Sequence, residues 1–220
     1  MIQLVAFLGN YGHEYAHTRH NVAWLFEESL PVSSRISWSS KYKSDFFSVD
    51  YDVYVSWLCD AGLLKHHADG SLPVPAECPK KLYFMKPLTY MNLSGDAIGE
   101  AARFFKIPSS DILIVHDEIE LPLGTVSLKW SGGLGGHNGL RSAKAVLGTA
   151  DFWRLRFGVG KPANGAVADY VLGSFTADES ISLAQVFCQT AVLYAKLLTS
   201  ANPQKFVAEW GKKKLLADVK

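Results

Sequence analysis

The chain has little that would tie it to a membrane, a secreted scaffold or a structural metal. Cysteine is scarce: Cys59, Cys78 and Cys188 are odd in number, far apart and include no C-x-x-C. That argues against a disulfide framework and against a structural zinc site. No run approaches the ~20 consecutive apolar residues that a membrane span needs. Met1 leads straight into Ile2-Gln3-Leu4-Val5-Ala6-Phe7-Leu8, with neither a basic leader nor a small-residue cleavage site. A reducing cytoplasm and no membrane partner are therefore expected. Excess charge is lacking too: 22 basic against 21 acidic residues leave +1, a balance that neither demands nor excludes a polyanion. The glycine-rich run 131–136 has no Lys-[Ser/Thr] after it and no G-x-G-x-x-G register behind a first strand, which weakens a nucleotide-binding reading.

What is present is an ordinary globular composition, 48% hydrophobic and 20% charged over 220 residues. That length buries enough surface to be stable without cross-links, and 1–220 reads as a single domain. Nearly continuous apolar runs at Ile2–Leu8, Leu82–Met85 and Ile112–His116 predict strands covered on both faces. Val126–Trp130 and Leu155–Val159 predict two more. Between them lie helical patterns. One runs from Arg19 to Leu30, with Thr18 as its cap and Pro31 beyond. Another follows Ser94 and stops before Pro108, and a third opens at Asn138. The longest begins with the capping box Thr176-x-x-Glu179, and a short one has Asn202 as cap and Pro203 at its first position. Alternation of this kind predicts an α/β fold, with helices packed about a substantially parallel sheet. Residues 34–80 fit least well: strands are expected at Phe46–Val49 and Val53–Trp57, and the stretch around 60–80 reads as an insertion.

The charge is unevenly placed. Between 121 and 161 stand Lys129, Arg141, Lys144, Arg154, Arg156 and Lys161 against Asp151 alone, and Lys212, Lys213 and Lys214 open a basic tail, 212–220. Such clustering suits a phosphate-rich ligand, or equally a solvated face. Polar groups also gather at strand ends, where α/β sheets bind ligands. These are Gly9-Asn10-Tyr11-Gly12 leading to Thr18-Arg19-His20-Asn21, Lys86-Pro87 through Asn92-Leu93-Ser94-Gly95, His116-Asp117-Glu118, and Ser131 through Leu140.

Five segments in order, G-N-Y-G-x-x-Y-x-x-T-R-H-N, K-P-x-T-Y-M-N-x-S-G, H-D-E-I-E-L-P-L-G, G-G-x-G-G-H-N-G-L-R-S and F-W-R-L-R-F-G-V-G-K-P, resemble those of bacterial-type peptidyl-tRNA hydrolase and span roughly residues 2–175. The resemblance implies a single-domain α/β/α sandwich around a mixed, largely parallel twisted sheet. It implies a monomeric, cofactor-free and metal-free enzyme of translation that hydrolyses the ester of peptidyl-tRNA or N-blocked aminoacyl-tRNA. His20 then matches the general base for water, and Asp117 the carboxylate that sets its tautomer. Asn10 and Asn92 match amides that orient the water or donate to the oxyanion. Asn138 matches a grip on the peptide backbone, with Tyr15, Tyr90 and Met91 lining the cleft. His137 either contacts substrate or shapes its loop. Lys129 and Arg156 match a pair that clamps the terminal phosphate of tRNA, contributing affinity without sequence readout; Arg154 and Lys161 either assist or are surface charge.

The sequence departs from the family pattern at Tyr11, where proline is usual, and at Ser131, where glycine is usual, and the stretch before Lys86 is longer. Neither substitution removes a catalytic group. Three other readings remain at this level. They are an inactive RNA-binding relative on the same fold, a metal hydrolase using His13, His17 and His20 or His66 and His67, and a nucleotide binder using the glycine loop.

Overall fold

The structure is a computed structural model and describes residues 1–162 and 164–216. In chain order its regular elements are β1 (Leu4–Phe7), α1 (Val22–Ser29), β2 (Ser39–Lys41), β3 (Ser44–Asp50), α2 (Tyr51–Asp60), β4 (Lys81–Pro87), α3 (Ser94–Phe105) and β5 (Ile112–Glu118). They continue with β6 (Thr125–Trp130), α4 (Asn138–Leu147), β7 (Trp153–Gly158), α5 (Val167–Leu172), α6 (Ala177–Leu198), α7 (Val207–Trp210) and β8 (Lys213–Lys214). One eight-stranded sheet has the order β2-β3-β4-β1-β5-β7-β6-β8. Its four central strands, β4-β1-β5-β7, are parallel, and both edges are extended antiparallel.

The period-two pleat sends alternate residues of each central strand to opposite layers. Val5 and Phe7 of β1, with Leu113 and Val115 of β5, enter the core under α1, α2 and α6. Leu4 and Ala6, with Ile112 and Ile114, enter the core under α3 and α4. The result is a helix–sheet–helix sandwich. In the first layer Phe26 of α1 lies 4.9 Å from the ring of Phe157 and 5.6 Å from those of Phe187 and Tyr194. A phenyl so buried typically contributes ~3–5 kcal/mol, and here it seats α1 directly behind the turn that carries His20. In the second layer α3 and α4 touch at Gly95, where any Cβ would overlap the Ser142 carbonyl. Gly95 N donates to Ser142 Oγ at 2.9 Å.

Several expectations need correction. Val53–Trp57 is no strand: Tyr51–Asp60 is α2, and its buried Tyr51, Tyr54, Val55, Leu58 and Cys59 recur at helical spacing. The β-branched and aromatic residues favour strand locally, but the face they bury has a period of 3.6. The helix expected from Arg19 is broken; a 3₁₀ turn, Arg19–Asn21, precedes α1. Thr18 offers no side-chain cap and instead donates its hydroxyl to Tyr15 O at 2.9 Å. The basic tail is ordered at its start. Lys213–Lys214 pairs with β6, Lys213 bonds Glu209 at 3.1 Å, and residues 217–220 lie outside the described residues. Between α2 and β4 no regular element forms, yet Leu63, Leu64, Leu72 and Val74 pack on the core.

By length and composition α6 could cross a membrane, with a mean hydropathy of 1.4 over its most apolar window. Its face of Leu183, Val186, Phe187, Leu193, Tyr194 and Leu197 is built into the first layer. The capping box is formed: Thr176 Oγ1 accepts from Glu179 N, and Glu179 Oε2 accepts from Thr176 N.

Candidate active site

The carboxyl ends of β1, β4 and β5 meet at one point. Asp117, next to the end of β5, is 2% exposed, and two imidazoles converge on its Oδ1. His20 Nδ1 lies at 2.8 Å and His137 Nε2 at 2.9 Å. The tautomer of His137 follows from its other nitrogen: Nδ1 accepts from Gly139 N at 3.1 Å and Leu140 N at 3.4 Å, capping α4. Nε2 therefore carries the proton and donates to Asp117. His137 thus both shapes its loop and helps hold the carboxylate. A third ring, His116, donates from Nδ1 to Asp117 O at 2.6 Å, while its Nε2 is buried without a partner.

These contacts decide the charges. Burial works to raise the Asp117 pKa, but His20 and His137, through charge and hydrogen bonds, outweigh it and hold the carboxyl well below its usual range. Burial, reinforced by His137, pushes His116 well below the usual imidazole value. At neutral pH the centre holds an ionised Asp117 beside a neutral His116.

Asn10 is set by a network that does not depend on the residue at 11. Asn21, fully buried, accepts from Asn10 N at 2.8 Å and donates to Asn10 O at 2.9 Å. Asn10 Oδ1 accepts from Met91 N at 2.8 Å, so the amide turns its NH₂ away from that bond. The same bond brings Tyr11 and Tyr90 together at the rim, ring centroids 5.1 Å apart, and Tyr11 raises the pKa of the Tyr90 phenol. The 3₁₀ turn bearing His20 is stapled from the far side. Arg19 N donates to Gly173 O, and the Arg19 guanidinium reaches Gly173 O, Ser174 O and both oxygens of Glu179.

His20 lines two cavities. One, of about 250 Å³, is formed with Asn10, Tyr90, Met91, Asn92 and Asn138 against α5. The other, of about 460 Å³, lies with Asp117, Glu118, His137 and Arg141 beneath the glycine loop. Tyr15 lines neither. An equally large groove between α1 and α6 is walled by Leu25, Leu183, Phe187 and Ala191 and holds no comparable cluster.

Lys129 and Arg156 lie apart from both cavities, on β6 and β7. Ser127 opposes Arg156 and Lys129 opposes Arg154, so the four side chains share one face of the sheet. Arg156 bonds Glu118 at 3.1 Å and Ser127 Oγ at 2.6 Å. Burial, then Arg154 and Arg156, lowers the Lys129 pKa. Arg154 is not surface charge: it is 1% exposed and donates to the carbonyls of Ser131, Gly132 and Gly133, pinning the loop. Ser131 there has φ 52°, a left-handed conformation that glycine adopts at lower cost, and its hydroxyl donates to Asp151 at 2.6 Å. Lys161 pairs with Glu120 at the surface.

Asn21 and Arg19 were not singled out as site residues by sequence reasoning, and Arg154 stood there only as an assistant to the phosphate pair or as surface charge. A polar residue flanking a catalytic motif was the available signal for the first two. Nothing in β7 marks Arg154 as buried.

His20, Asp117 and His137 present ligand atoms within 4.8 Å of one another, a spacing that would admit a cation. The chemistry does not fit: metal ligation by His137 Nε2 would require removing the proton that its capped Nδ1 forces there. His13 and His17 are exposed and join no such cluster among the described residues.

Among the described residues, neither cavity beside His20 is lined by Ser, Thr or Cys. Fold and site together define an α/β protein whose cleft holds a buried carboxylate bonded to histidine. The comparisons narrow the class. The sequence profile described as peptidyl-tRNA hydrolase matches residues 4–216. The peptidyl-tRNA hydrolase of Treponema pallidum is 40% identical over 220 residues, 98% of each chain. That of Desulfitobacterium hafniense is 38% identical over 199 residues, 89% of this chain and 94% of its own. The crystal structure of the Acinetobacter baumannii enzyme superposes with a TM-score of 0.73 at 29% identity, covering 96% of this chain and 92% of that one. The chain belongs to the peptidyl-tRNA hydrolase family and is a hydrolase.

Proposed function

We propose that the chain hydrolyses the ester joining a peptide, or an N-blocked amino acid, to the terminal ribose of tRNA. The observation that carries this is the His20–Asp117 bond of 2.8 Å, which spends Nδ1 on the carboxylate and leaves Nε2 for water. In the reaction Nε2 takes a proton as the water oxygen bonds to the carbonyl carbon. The tetrahedral oxyanion collapses, the carbon–oxygen ester bond breaks, and the imidazolium returns the proton to the departing ribose oxygen. The products are a peptide carboxylic acid, which loses its proton to solvent to become the carboxylate, and a tRNA hydroxyl.

The free NH₂ of Asn10 is the donor best placed for the oxyanion, because its carbonyl is occupied by Met91 N. Asn92 and Asn138, exposed along the same cleft, serve the peptide, and Lys129 with Arg156 clamps the terminal phosphate. The lowered pKa of Lys129 reflects desolvation and crowding with two arginines. The test compares N-acetylated with free aminoacyl-tRNA for the native protein and His20→Ala. Cleavage of the blocked ester alone, reduced on the order of 10²–10⁴-fold in the variant, supports the reading. Full activity in His20→Ala removes the mechanism, and an inert native protein points to an RNA-binding relative.

A further inference from the structure

Glu118 closes β5 one residue after Asp117, and its carboxylate is spent inside the basic face. Oε2 accepts from Arg156 Nη1 at 3.1 Å, and Oε1 accepts from Glu120 N at 3.2 Å. Glu118 is 8% exposed, and its charge acts favourably on Lys129 and Arg154. Arg154 is committed to the loop carbonyls. The cations left for a phosphate are Lys129 and Arg156, and Arg156 already holds an anion. Ser127 Oγ, at 2.6 Å from Nη2, fixes the guanidinium from a second side. Its Nε is buried without a partner, so the donor set is not saturated.

We infer that Glu118 is the resident counter-anion of the phosphate clamp and sets its affinity. A phosphate monoester must take the Arg156 guanidinium from the carboxylate on binding and return it on release. The inference rests on the reading of Lys129 and Arg156 as that clamp. Without Glu118 two cations would face the ligand uncompensated; with it, each binding event is an exchange of anions whose net gain is smaller. A hydrolase that must let go of tRNA after every turnover gains from that attenuation, because tight uniform binding does not raise turnover.

The test uses Glu118→Gln, which keeps the side-chain shape and an acceptor oxygen but removes the charge. Binding of an acceptor-stem RNA minihelix bearing either a 5′-phosphate or a 5′-hydroxyl is measured by fluorescence anisotropy across a salt series. The native protein should prefer the phosphorylated RNA, and Arg156→Ala should erase that preference. Glu118→Gln should bind the phosphorylated RNA roughly three- to tenfold more tightly, with a salt slope steeper by about 1 and little change for the hydroxyl form. Glu118→Asp, which keeps the charge on a shorter arm, should fall between. Unchanged or weaker binding in Glu118→Gln, with the preference for phosphate intact, overturns the inference and makes Glu118 a prop for Arg156. Absence of any 5′-phosphate preference in the native protein overturns the clamp reading itself.

Discussion

Asp117 and Glu118 are neighbours on one strand, both buried, and they sit in opposite surroundings. Asp117 receives two imidazole N–H groups on a single oxygen, with no Lys or Arg bonded to it among the described residues. Glu118 faces a guanidinium in a field of three basic side chains. The first carboxylate fixes orientation: it engages His20 through Nδ1 and leaves Nε2 unspent. The second moderates a charge excess. One step along β5 thus separates a carboxylate held by imidazoles from a carboxylate held by a guanidinium. The difference teaches that the roles of these acids come from the rings and guanidiniums that reach them, not from the carboxylates.

The largest break in that comparison is expected from Asp117→Asn. An amide oxygen accepts more weakly than a carboxylate, and its NH₂ can instead donate to His20 Nδ1, so the His20 tautomer is no longer enforced. Turnover should fall on the order of 10³–10⁴-fold with KM nearly unchanged, as steady-state kinetics on a blocked aminoacyl-tRNA would show. A matching rise in KM would mean that Asp117 holds substrate rather than the ring.

On the basic side, Arg154→Leu separates structural from ligand-facing charge. It strips donors from three loop carbonyls and should lower stability by about 2 kcal/mol, read by thermal or chemical unfolding. The salt dependence of RNA binding should stay close to native, because this guanidinium is not presented to a ligand. A salt slope shallower by a whole charge would place Arg154 in the clamp.

The smallest effect sharpens the proton side. His116 is held neutral by burial, its pKa pushed well below the usual value, whereas an unfolded histidine takes up a proton near pH ~6.5. As pH falls through that value the unfolded state binds the extra proton, so stability is lost on acidification, by at most about 1.4 kcal/mol per pH unit. Asp117, with its pKa depressed, contributes its stability above the usual carboxylate range and loses it only at lower pH. His116→Asn keeps a donor for Asp117 O but cannot titrate. Its melting temperature should therefore decline less between about pH 6.5 and 4.5 than that of the native protein. Equal slopes would show that His116 is protonated in the fold.

Much of this was legible in the residues. The alternation of Leu4, Val5, Ala6 and Phe7, and of Ile112 through Val115, marks strands covered on both faces, because a period of two leaves no polar side to expose. Thr176 and Glu179 announce a helix start because the reciprocal bonds are local. Motifs quoted from strand ends bring Asn10, Met91 and Asn92 to one cavity beside His20, and Asp117 to the other. Less legible were α2, where residues of strand propensity follow a helical period, and α5, a six-residue helix too short to show one.

By itself the sequence determined the layered α/β architecture and the family, since these depend on periodicity, caps and motif order. Tertiary structure alone decided which charges are free and which are spent. Arg154 and Arg156 are two residues apart on one strand and alike in sequence; one reaches the loop carbonyls and the other meets Glu118. His137 was ambiguous between loop and substrate until the N–H groups of Gly139 and Leu140 claimed its Nδ1. Long-range hydrogen bonds choose a partner and a proton position through three-dimensional proximity, and no local pattern encodes that choice.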